Sequence, residues 1–158
     1  MTLDLILRAC IPLVIFGYSV ASPDLQNHGP QPEKCVVKSR EPNAPDYLVG
    51  QVRHTGDDKP SEIYVLISIE PKQFKKEQMI ALARQLKKDF CKEIRFGVII
   101  FDDYMAARYV TYLSITKDLE KAQRGFYHID RKKRSEYIQF STARGKPLDE
   151  VRINLLKD

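Results

Sequence analysis

The chain has no segment that repeats at a fixed period, no sustained heptad pattern and no low-complexity tract, which excludes solenoids, coiled coils and biased-composition arrays. It also lacks an apolar run of spanning length. The longest, Ala9 to Val20, is about a dozen residues against roughly 20 for a transmembrane helix, and it contains Pro12 and Gly17. No serine or cysteine stands in a nucleophile-elbow motif, and none of the usual nucleic-acid-binding signatures occurs. Cysteine is scarce, with Cys10, Cys35 and Cys91 the full set. What remains is 158 residues, 43% hydrophobic and 30% charged, with a net charge of +5. That is one modest globular domain plus its ends.

The stretch from Glu62 to Asp103 organises the domain. Glu62 to Ile69 is nearly unbroken apolar sequence rich in β-branched residues and bounded by Pro60 and Pro71, so it predicts a buried strand. From Lys76 to Phe90 the period changes. Met79, Leu82, Ala83, Leu86 and Phe90 fall at helical spacing, with Lys76, Arg84, Lys87 and Lys88 mostly turned to water. Lys75 is the expected N-cap, with Phe74 and Met79 placed as a hydrophobic staple. Ile94 to Phe101 repeats the buried-strand pattern, which predicts a β-α-β crossover with parallel strands. The helix is expected to cover one face made of Ile63, Val65, Ile67 and Ile69 with Ile94, Phe96, Val98 and Ile100.

Around this unit the patterning is antiparallel. Leu48 to Arg53 reads as a strand forming a hairpin with the first core strand, and Cys35 to Lys38 as a short edge strand. Asp102 and Asp103 can cap a short helix through Met105, Ala106 and Arg108. Lys117 to Gln123 suits one or two helical turns ending at Gly125. Phe126 to Asp130 and Glu136 to Ser141 predict a hairpin around the turn Arg131 to Ser135, and Glu150 to Leu156 a last strand. The expected class is α+β: a mixed, largely antiparallel sheet with one β-α-β crossover and one principal helix packed on a face.

The N-terminal residues have the layout of an export signal. Arg8 precedes the apolar run, and Ser19 and Ala21 take the small-residue positions of a cleavage site, so residues 1–21 are expected to be a signal peptide. Residues 22–34, with three prolines and a glycine, would be a flexible tether, and residues 35–158 the domain. No stable membrane span is expected after cleavage, and the location would be secreted or in the cell envelope. Cleavage removes Cys10 and leaves Cys35 and Cys91 as a pair in an oxidising compartment, where a disulfide is the natural expectation. It would close a loop of about 57 residues, worth roughly 4 kcal/mol on the chain-entropy model.

Four features can carry chemistry. Asp102-Asp103 lies at the end of a buried strand, where open sheets place ligands, although adjacent residues leaving a strand point in opposite directions. Pro45-Asp46 with Glu70-Pro71-Lys72 resembles the PD and ExK elements of restriction-type nucleases. That resemblance implies metal on Asp46 and Glu70 and water activated near Lys72, and it covers five residues. His128 and Asp130 share one strand face, a pairing that can orient a general base. The fourth feature is basic charge. Arg131, Lys132, Lys133 and Arg134 cluster at one turn, Arg124, Arg144 and Lys146 are expected in adjoining loops, and Tyr127 and Tyr137 are near enough to stack on a sugar or base. These nine residues form the expected ligand-binding set.

The favoured reading is a non-catalytic binding domain with no cofactor and no metal, whose partner is an anionic polymer or an envelope protein. Nucleic acid is disfavoured for an exported chain without its usual folds. The alternative is a metal-dependent, nuclease-like hydrolase using Asp102, Asp103 or Glu70.

Overall fold

The computed structural model describes residues 35, 39–55, 62–110 and 117–157, so the expected signal peptide and tether, and most of the expected first edge strand, lie outside the described residues. Strands β1 (Leu48–Thr55), β2 (Glu62–Ser68), β3 (Arg95–Phe101), β4 (Gln123–Asp130), β5 (Ser135–Phe140) and β6 (Val151–Asn154) form one sheet in chain order. Only β2 and β3 run parallel, joined through helix α1 (Lys76–Asp89), and the other neighbours are antiparallel. The class is the α+β arrangement that the alternation of patterns predicts.

One face of the sheet forms the main core. Its odd-numbered positions Ile63, Val65 and Ile67 and even-numbered Phe96, Val98 and Ile100 point to one side because side chains alternate along a strand. Met79, Leu82, Ala83 and Leu86 of α1 and Phe90 just after it lie against them, with Tyr127, Ile138 and Phe140 from the later strands. Lys75 is the N-cap residue, without a side-chain cap bond. Ile94 departs from expectation: it precedes β3 and is half exposed, because the chain is still turning there, with the Glu93 N–H bonded to the Phe90 carbonyl.

The second face is covered in part. Helix α2 (Tyr104–Tyr109), capped by Asp103, whose Oδ1 accepts from the Ala106 N–H at 3.0 Å, places Ala106 and Ala107 over Leu66 and Phe101. Its approach to β1 is close. A bulge falls between Val49 and Gln51, and a Cβ on Gly50 would come within 2.5 Å of the Ala107 carbonyl. Gly50→Ala should therefore push α2 off β1 at a cost of about 1 to 3 kcal/mol, read as a lowered urea midpoint.

Helix α3 (Lys117–Ala122) stops at Ala122, before the expected Gly125, which instead sits inside β4 against Ile100. A Cβ there would meet the Ile100 side chain at 3.1 Å, so this glycine serves packing and caps no helix. Cys35 and Cys91 lie at bonding distance, Cα to Cα 6.1 Å. Cys35, Glu41 and Tyr47 are held along the second half of α1. The Cys35 N–H bonds the Asp89 carbonyl, the Tyr47 hydroxyl donates to Asp89 at 2.6 Å, and the Glu41 N–H donates to the Gln85 side chain. Burial and the Asp89 hydrogen bond push the Tyr47 phenol well above its ordinary range. Among the described residues no helix is long and apolar enough to cross a membrane.

Candidate anion-binding site

The nine residues of the expected binding set separate into four places. Arg131, Lys132, Lys133 and Arg134 make the four-residue turn between β4 and β5. Arg131 is folded back: its Nε donates to the Glu93 carbonyl at 2.9 Å and its guanidinium reaches the Lys87 carbonyl near the end of α1. A cation on the last carbonyls of a helix answers the negative end of its dipole, so Arg131 holds the turn to the helix. Lys132, Lys133 and Arg134 are exposed. Arg134 closes the turn in the left-handed region, at φ 51°.

Asp130 organises the base of this tip. Its Oδ1 accepts the Lys133 N–H at 3.0 Å and its Oδ2 takes the Arg95 guanidinium at 2.9 Å. The Lys133 amide first, and then Arg95, hold the Asp130 carboxyl below the usual carboxylate range against the opposing pull of burial. His128, on the same strand face, lies with its Nε2 3.3 Å from Glu62. Histidine and aspartate are thus each engaged with other groups.

Tyr127 and Tyr137 project to opposite faces. Tyr127 is fully buried in the main core, its hydroxyl donating to Glu136 at 2.8 Å, and burial with the Glu136 charge raises its phenol far above the ordinary range. Glu136 also receives Lys87 at 2.6 Å, so Lys87 is tied into the structure where the periodicity had it facing water. Tyr137 lies on the second face, stacked 5.3 Å from His128, with the Arg152 guanidinium 4.5 Å over its ring. Those contacts are cation-π and ring stacking within the protein itself.

Arg124 and Arg144 meet at the far end of the sheet on Asp102. Arg124 is buried, 3.2 Å from one carboxylate oxygen and 4.1 Å over the Phe74 ring, and it also donates to the Ser141 and Thr142 carbonyls. Arg144, half exposed, reaches the other oxygen at 2.6 Å. Asp102 therefore turns into this pair while Asp103 turns the other way to cap α2. Lys146 lies in the exposed turn between β5 and β6.

The acidic residues of the nuclease-like pattern have local partners, Asp46 with Arg40 and Glu70 with Lys72. No group of three His, Cys, Asp or Glu placed to hold a metal occurs among the described residues. The described cleft of about 440 Å³, lined by Glu41, Glu77, Ile80 and Arg84 among others, lies on the first half of α1. Comparison with family models, with curated proteins and with solved structures finds no match to this chain.

Proposed function

We propose that the chain is a small exported binding domain without catalytic activity, and that it recognises an anionic partner through the tip of the β4–β5 hairpin. The observation that carries this reading is an imbalance of pairing. Lys87, Lys88, Arg95, Arg124 and Arg144 each face a carboxylate, whereas Lys132 and Arg134 stand at a solvated tip with no carboxylate partner among the described residues, and the exposed Lys133 between them acts on the charge of Asp130 at the base of the turn. Three adjacent exposed cations on a short turn that is pinned from below, against the single carboxylate of Asp130 at its base, give a preorganised patch of positive potential. The neighbouring Cys35–Cys91 pair at bonding distance fits an oxidising compartment, in keeping with the export layout of residues 1–21.

Neutralising the tip tests this. Lys132→Gln, Lys133→Gln and Arg134→Asn together, with Arg131 left in place because it binds the helix end, should abolish retention on a sulfated-polysaccharide matrix at moderate salt. Asparagine suits the left-handed position of Arg134. The slope of log affinity against log salt should fall by roughly 2 to 3, since each phosphate- or sulfate-paired cation releases about one counterion. The melting temperature should stay within a few degrees of the parent. Unchanged retention would leave the turn a solubility device.

A further inference from the structure

The hairpin tip does not stand alone at its end of the sheet. Because the strands follow one another in chain order, the β4–β5 turn lies between the start of β3 on one side and the end of β6 on the other. At the start of β3 is Ile94, whose carbonyl accepts the Arg131 N–H at 2.9 Å, and its side chain is 50% exposed. At the end of β6 the Leu155 N–H bonds the Glu136 carbonyl, and the next residue, Leu156, is 51% exposed and followed by exposed Lys157. Two large apolar side chains therefore flank three exposed cations at one end of the sheet. The chain also enters there, because Cys35 is held to Cys91 and Asp89, within a few residues of the Glu93 carbonyl that Arg131 binds.

We infer that this end seats on an anionic lipid surface, with Lys132, Lys133 and Arg134 among the headgroups and Ile94 and Leu156 entering the boundary with the acyl chains. The inference rests on the anion-binding reading and narrows its partner. A soluble polyanion would use the cations and leave the apolar pair in water. A planar, negatively charged interface with an apolar interior satisfies both.

The test uses the full chain with phosphatidylglycerol-containing vesicles, phosphatidylcholine vesicles and soluble heparin. Phosphatidylcholine binding supplies the background, including any from apolar residues 9–20, and each effect is read as variant against parent. The parent should partition onto the anionic vesicles. Neutralising Lys132, Lys133 and Arg134 should weaken that roughly a hundredfold, at about fivefold per cation. Ile94→Ser with Leu156→Ser should weaken vesicle binding about tenfold or more while leaving heparin binding unchanged. Both side chains are half exposed, so the fold should hold, which circular dichroism of the variant checks. Heparin binding without vesicle binding would overturn the lipid assignment and leave the anion-binding reading standing. Vesicle binding indifferent to Ile94 and Leu156 would also overturn it, and binding to neither probe would overturn both.

Discussion

Replacing Asp102 with alanine should cost about 3 to 5 kcal/mol, because it leaves the buried Arg124 guanidinium without its counter-charge. Arg124 has no path to water short of unpacking from Phe74 and from the Ser141 and Thr142 carbonyls. Arg144→Ala is the contrast. Its side chain is half exposed and its loss still leaves Asp102 paired with Arg124, so the cost should stay within about 1 kcal/mol. Urea unfolding of the two variants checks the difference. Similar costs would mean that the ion cluster does not tie the end of β3 to the β5–β6 turn.

Leu86→Ala should cost about 2 to 5 kcal/mol through lost burial and the cavity left between α1 and the sheet, where Leu86 is fully enclosed. Its neighbour should respond on a smaller scale. Lys87→Ala removes one hydrogen-bonded charge from the buried Glu136 while Tyr127 keeps the other oxygen satisfied, which suggests about 1 kcal/mol. A fully solvated lysine would be silent. Denaturant titration of both variants separates a wrong helix phase, in which the two would be equal, from the packing described here.

The main core was legible because its residues obey two clean periods. Val65, Ile67, Phe96, Val98 and Ile100 on the strands and Met79, Leu82 and Leu86 on the helix are the positions that alternation and helical spacing single out. The Cys35–Cys91 pair was legible once Cys10 was set aside with the expected export signal, which leaves two cysteines. Ile94 was misplaced because an apolar residue extends a strand pattern whether or not the chain has finished turning.

The site was harder to read, and the tyrosines show why. Tyr127 pairs with Ile138, and Tyr137 with His128, in a hairpin whose turn is Arg131 to Arg134. Ending the turn one residue later, at Ser135, as the sequence pattern suggests, would shift the register and put both rings on one face. The pairings of Asp102 with Arg124 and Arg144 span 22 and 42 residues and leave no local signature. Arg131 looks like its three neighbours in the sequence, and only the approach of the α1 terminus distinguishes it.

The most direct test of the tip as the binding surface compares two variants of equal charge on one anionic probe. One carries Lys132→Gln, Lys133→Gln and Arg134→Asn. The other carries Lys75→Gln, Lys76→Gln and Arg84→Gln, three exposed cations elsewhere on the domain. Binding to soluble heparin is measured for both against the parent at several salt concentrations. The expected result is loss of binding and a flattened salt dependence in the tip variant, with the α1 variant close to the parent. Equal losses would contradict the site, because they would show that net charge, and not the hairpin tip, attracts the partner.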